Sequence, residues 1–259
     1  MSTPPLSTVT EPLSRRRIGA EIGIVLGLSL GASAVYSIVA IIDLLTREKA
    51  LSQQTATINK PLSERQVFDF VYHLLSNFFD LIPVALVCYL LWNVGRPHLA
   101  RLGLSLERPG RDLGWGVGLA LAVGIPGLAF YFFGRAIGIS VSVVPTALDA
   151  YWWTVPVLLL SALRAAITEE VIVVGYLFER LGWGRWRIII SSAVLRGSYH
   201  LYQGFGAFVA NLAMGVLFGW LYTRYGRLLP LVVTHFLLDA AVFVGYAWAY
   251  ATFPTLFGN

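Results

Sequence analysis

The sequence predicts an all-α polytopic membrane protein, a bundle of about seven transmembrane helices with its N-terminus inside. Three observations carry that reading. Hydrophobic residues make up 57% of the 259 positions and charged residues only 13%, against about half and about a quarter in a soluble domain. The mean hydropathy is +0.70. The apolar residues also fall into seven runs, most of them near the roughly 20 residues that a helix needs to cross a bilayer.

Residues 1–17, MSTPPLSTVTEPLSRRR, are polar and end in a basic triplet. They read as a disordered cytoplasmic tail, with 18–259 as the transmembrane domain. The stretch from Ile18 is too long for the apolar region of a cleavable leader and lacks a small-residue cleavage site. The expected spans are about 18–45, 67–94, 113–134, 152–178, 186–201, 207–224 and 229–250. In the first, Gly23, Gly27 and Gly31 recur every four residues, a small-residue face for close helix packing. The sixth presents Asn211, Gly215 and Gly219 on one face. Residues 98–112 form the longest inner loop, read as a basic connector. Cys88 is the single cysteine, so no internal disulfide can form.

Orientation follows from Lys and Arg. With the N-terminus inside, the inner segments hold twelve of them and the outer segments five, namely Arg47, Lys49, Lys60, Arg65 and Arg135. The positive-inside rule therefore favours an inner N-terminus and an outer C-terminus. This also accounts for the net charge of +5; no basic stripe interleaved with exposed aromatics points to nucleic acid. Trp152, Trp153, Trp183, Trp186 and Trp220 fall near span ends, as an interfacial aromatic belt would place them.

Arg164 and Arg196 fall inside spans, and they have acidic company. Glu169 and Glu170 stand side by side in the apolar run AITEEVIVVGYLF. A carboxylate at mid-bilayer costs about 2.5–3.5 kcal/mol even on lenient scales, so such residues are functional candidates. At about 1.5 Å of rise per residue, Glu169, His200, His235 and Asp239 all lie roughly 10–20 Å from the inner ends of three different helices. His235 and Asp239 are spaced i, i+4 and share a face. Glu169 and Glu170 are about 100° apart on a regular helix, so at most one points straight at a common site. Such a set suits hydrolysis: a carboxylate takes a proton from water, and histidines hold that water or an oxyanion. It equally suits a divalent cation such as zinc, with Glu169, His200 and His235 as candidate ligands. A buried structural network is the alternative. For Asp69, His73, Asn77 and Asp80 in the second span the structural reading is preferred.

The three motifs resemble those of the CPBP family, the CAAX protease and bacteriocin-processing (Abi) intramembrane endopeptidases. That pattern is a Glu pair followed by three residues, Arg and often Gly; then Phe, three residues, and His; then His, three residues, and Asn or Asp. Glu169-Glu170 with Gly175, then His200 in SYHLYQG, then His235-Phe236-Leu237-Leu238-Asp239 match it over about residues 150–250. The resemblance implies that Glu169 activates water, that His200 and His235 hold that water or the oxyanion, and that Asp239 stands where Asn is frequent. It also implies a membrane-embedded or membrane-proximal polypeptide as substrate, in the cell membrane of a bacterium. Two positions depart from the pattern. Val174 replaces the Arg, and Arg196 replaces the Phe. The two changes are expected to compensate, Arg196 supplying from the next helix the cation that Glu170 lacks; Arg164 is the other candidate partner. Two rival readings stay open: a non-catalytic scaffold or immunity-type member, and a cation- or proton-coupled transporter, although no inverted repeat supports the latter.

Overall fold

The computed structural model describes residues 14–92 and 98–252. Helix α1 (Arg15–Gly27) starts where the Ser14 hydroxyl accepts from the Arg17 N–H at 3.3 Å, a side-chain cap for an otherwise unpaired donor. The basic triplet is thus the first turn of a helix, and residues 1–13 of the expected tail lie outside the described residues. α1 and α2 (Leu30–Thr46) are bent by 58°. At the bend the Ser29 hydroxyl donates back to the Val25 carbonyl at 2.6 Å. This changes the reading of the glycine series. Among the described residues a Cβ on Gly23 or Gly27 would meet nothing within 4 Å, whereas one on Gly31 would lie 2.7 Å from the Leu26 carbonyl oxygen. Gly31 serves the bend rather than a helix-packing face.

The chain continues through β1 (Thr55–Asn59), α3 (Gln66–Phe79), α4 (Ile82–Leu90), the short α5 (His98–Arg101) and the long α6 (Pro109–Ala136). Asp69 accepts the Leu62 and Ser63 N–H groups at 2.6 and 3.2 Å, so it fastens the loop onto the start of α3. β2 (Ser142–Thr146) then pairs with β1 in parallel, Ala56 beside Val143. This two-stranded ribbon is a departure from an all-helical expectation; its two strands of five residues lie 86 positions apart at Asn59 and Pro145, where the Asn59 amide donates to the Pro145 carbonyl at 2.8 Å.

The remaining elements are α7 (Thr154–Glu169), a π-helical segment over Glu170–Tyr176, α8 (Leu177–Leu181), α9 (Arg185–Ser198), a 3₁₀ turn (Leu201–Gln203), α10 (Phe205–Tyr225), α11 (Leu229–Ala240), a second π segment (Ala241–Gly245) and α12 (Tyr246–Thr252). α10 packs on α9, and α11 packs on α6 and α7. Close approach depends on small residues: a Cβ on Gly215 would lie 2.8 Å from the Ala193 Cα. Gly226, at φ +62°, ends α10 in the left-handed conformation that glycine adopts without strain.

Among the described residues three helical stretches are long and apolar enough to cross a membrane, Gln66–Leu90, Pro109–Ala136 and Phe205–Tyr225, and the bent α1–α2 pair makes a fourth if counted as one. The protein is an α-helical integral membrane protein. Large apolar side chains such as Val35, Tyr36, Leu121, Ile125 and Phe133 face outward, a surface that only lipid solvates without penalty. The interior is centred on α7, its π segment and α11, with Ile172, Val173, Val174 and Tyr176 fully buried. Trp152 and Trp186 are exposed, as expected of a belt. Trp153 is not: it is buried, with its ring 5.6 Å from Phe70 and 6.2 Å from His73.

Candidate active site

The site is built where α7 changes register. Four β-branched residues follow the Glu pair, Val171-Ile172-Val173-Val174, and such side chains crowd the preceding turn of an α-helix. The backbone over Glu170–Tyr176 is π-helical instead, a wider form that recurs at functional sites. Both carboxylates consequently reach one cluster, rather than one pointing inward and one aside. Glu170 is fully buried, and Glu169 is 8% exposed.

Glu170 is held from two neighbouring helices. Its Oε1 accepts from Arg196 Nη2 on α9 at 2.7 Å and from His235 Nδ1 on α11 at 2.7 Å. The guanidinium of Arg196, itself fully buried, lies over the Phe218 ring with its Cζ 5.4 Å from the centroid. Arg196 thus stands where the sequence comparison expected a cation for Glu170, and Val174 is buried among apolar side chains. Arg164, the other candidate, turns away: its Nε is 3.4 Å from Asn77 Oδ1 and its Nη1 3.6 Å from Asp80 Oδ2, both on the α3 side of α7.

Glu169 Oε2 accepts the Tyr199 hydroxyl at 2.7 Å and lies 3.7 Å from Arg196 Nη1 and 3.9 Å from His235 Nε2. Among the described residues no hydrogen bond reaches its second oxygen. With Nδ1 donating to Glu170, His235 presents Nε2, 3.5 Å from Asp239 Oδ2. His200 is not on a helix face as expected. α9 ends at Ser198, and His200 lies in the turn before the 3₁₀ segment. Its Nδ1 is 3.0 Å from the Arg196 carbonyl oxygen. A carbonyl only accepts, so Nδ1 carries a proton, and in the neutral form of the ring the lone pair is at Nε2.

His200, His235, Asp239 and Asn211 line a cavity of about 580 Å³ between α6, α10, α11 and the ribbon. The Asn211 amide donates to the Ala207 carbonyl one turn back, at 3.0 Å. Among the described residues no three His, Cys, Asp or Glu side chains are grouped to hold a metal ion. The candidate trio Glu169, His200 and His235 is not such a group. The residue that sequence reasoning passed over is Tyr199. Its signal was its place beside His200, just before the helix breaks.

Residues 151–241 match the family model described as Type II CAAX prenyl endopeptidase Rce1-like. The matched stretch contains every member of the cluster, from Glu169 to Asp239, and agrees with the CPBP resemblance of the three motifs. No curated protein and no solved structure matches the chain.

Proposed function

We propose that this membrane protein, with an Rce1-like core over residues 151–241, is an intramembrane endopeptidase that hydrolyses a peptide bond with water activated by Glu169. The observation that carries the reading is the division of labour between adjacent carboxylates. Glu170 is engaged by Arg196 and His235, both at 2.7 Å, and braces the helices. Glu169 is fixed through one oxygen by Tyr199 at 2.7 Å and keeps the other for proton transfer.

Glu169 takes one proton from a water that the His200 Nε2 lone pair orients. The hydroxide adds to the scissile carbonyl carbon. His235, carrying protons on both ring nitrogens between the Glu169 and Asp239 carboxylates, donates from Nε2 to the developing oxyanion. Glu169 then returns the proton to the departing amine, the C–N bond breaks, and the products are a new carboxylate and a new amine. General acid–base catalysis of this kind contributes about 10²–10⁴-fold. The substrate class is a membrane-associated polypeptide.

The test is cleavage of a quenched-fluorescent peptide library by the purified full chain in lipid nanodiscs, in water enriched with ¹⁸O. One ¹⁸O in each new carboxyl group is expected, and Glu169→Gln should lower turnover by about 10²–10⁴-fold. No cleavage by the unaltered protein, or full activity in Glu169→Gln, overturns the reading. With it we propose seven crossings, an inner N-terminus and the cell membrane of a bacterium, supported by the twelve-to-five distribution of Lys and Arg. A reporter fused after Asn259 should then be extracytoplasmic, and a cytoplasmic signal would remove or add one crossing.

A further inference from the structure

The chain just before β2 is paired along one edge, and that edge runs on into the cavity. The Val141 N–H donates to the Gln203 carbonyl at 3.3 Å, and the Gly206 N–H to the Ile139 carbonyl at 3.2 Å. Together they form an antiparallel bridge centred on Ser140 and Gly204. Gly204 permits this approach: at φ +98°, its Cβ would lie 2.7 Å from the Ile139 carbonyl oxygen. Successive residues of a strand point their N–H and C=O groups to opposite edges. Ile139 and Val141 therefore face Gln203–Gly206, while the Ser142 N–H turns to the Gln54 carbonyl at 2.8 Å on the β1 side.

Val143 is next on the first edge, and among the described residues no strand pairs with it there, Ala56 lying on its other side. An antiparallel continuation from Gln203 would run back towards His200, but there the chain winds into the 3₁₀ turn. The Val143 N–H donates instead to the Tyr131 hydroxyl at 3.1 Å. Val143 and Tyr131 both line the cavity that holds His200, His235 and Asp239. Pro145 follows on the same edge and has no N–H.

We propose that this edge of β2 is a substrate-binding subsite, where an extended polypeptide segment pairs its backbone with the Val143 N–H and C=O, displaces the Tyr131 hydroxyl, and is laid beside His200. The inference rests on the endopeptidase reading for what happens next, but not for binding. A helical segment cannot use this edge, because its N–H and C=O groups are already bonded to each other. Strand addition gives affinity through the main chain and specificity through alternate side chains. Ile58, Pro145 and Leu217 around the slot make apolar side chains the fitting ones.

The experiment uses the full-length Glu169→Gln protein in nanodiscs, so that nothing is cut. The probes are the peptide Lys-Lys-Val-Ile-Val-Ala-Val-Ile-Lys-Lys and the same peptide N-methylated at every Val, Ile and Ala amide, which blocks both of its edges. Binding is read as hydrogen-exchange protection of the 142–146 amides during titration. The plain peptide should protect that segment with about 5- to 150-fold higher affinity than the methylated one, the loss expected when two backbone bonds of about 0.5–1.5 kcal/mol each cannot form. Tyr131→Phe removes the competing hydroxyl and should leave the affinity equal or higher. Val143→Pro removes the donor and should abolish the discrimination. Equal affinity for the two peptides, no protection of 142–146, or weaker binding in Tyr131→Phe overturns the proposal. Cleavage is scored separately in the unaltered protein. Binding of this kind without cleavage removes the endopeptidase reading alone, and cleavage without it removes the subsite alone.

Discussion

Helix α7 carries polar clusters towards two different neighbours, and they are built to different tolerances. Towards α9 and α11, Glu170 meets Arg196 and His235 at 2.7 Å, with the side chains of Glu170 and Arg196 both 0% exposed. Towards α3, Arg164 meets Asp80 at 3.6 Å, with side chains 30% and 49% exposed. The intervening Asn77 donates to Ser161 Oγ at 3.1 Å. Both clusters contain one arginine and a carboxylate, so composition does not distinguish them. Burial does. In the first cluster no solvent can replace a lost partner, so geometry is enforced. In the second, both side chains reach the surface of the bundle, and either can move without opening the core. Catalytic groups belong in the first environment.

The difference can be broken most forcefully at Arg196. Removing one partner of a buried pair typically costs about 3–5 kcal/mol, and Arg196→Ala should lower the thermal unfolding midpoint accordingly and abolish cleavage. Val174→Arg alone should also destabilise, since it buries a second cation in an apolar cluster. Combined with Arg196→Ala it should restore part of the loss. Strictly additive effects in the four proteins would show that the two positions do not exchange a charge.

Tyr199→Phe comes next in size. It deletes the hydroxyl that donates to Glu169 at 2.7 Å while keeping the ring against His200, their centroids 4.8 Å apart. A hydrogen bond to a charged group contributes about 1.5–3 kcal/mol to stability, so the unfolding midpoint should fall accordingly, and turnover should fall roughly 10- to 100-fold as Glu169 loses its orientation, with KM nearly unchanged. Full turnover in a variant that melts early would make Tyr199 a packing residue. The smallest effect belongs to Arg164→Ala. Solvent-accessible pairs contribute about 0–1 kcal/mol, and stability should shift by no more than that. A loss as large as that of Arg196→Ala would erase the contrast between the two sides of α7.

Much of this site is legible in the order of residues. Carboxylates and histidines are so costly in a bilayer that their depth alone gathers Glu169, His200, His235 and Asp239, and the exchange at positions 174 and 196 points to the Glu170–Arg196 contact. Other parts depend on information that periodicity does not carry. The π segments after Glu169 and Ala240 leave the hydrophobic pattern of a helix intact while moving the side chains. The role of Tyr199 arises from the break after Ser198, which turns a residue of an apolar run towards α7. The ribbon joins two five-residue strands that neither length nor alternation singles out. The bend between α1 and α2 hides behind glycines that resemble a packing motif.

The buried Glu170–Arg196 pair also bears on how the chain enters the bilayer during synthesis. Charged side chains cost about 2.5–3.5 kcal/mol each at mid-membrane on the insertion scale. A helix carrying Glu169 and Glu170 that partitioned alone would meet that cost unrelieved. Arg196 follows Glu170 by only 26 residues, while His235 follows it by 65. In the proposed seven-span topology the segments 154–181 and 185–198 would leave the translocon as one hairpin that brings Glu170 and Arg196 together, and His235 would join them later.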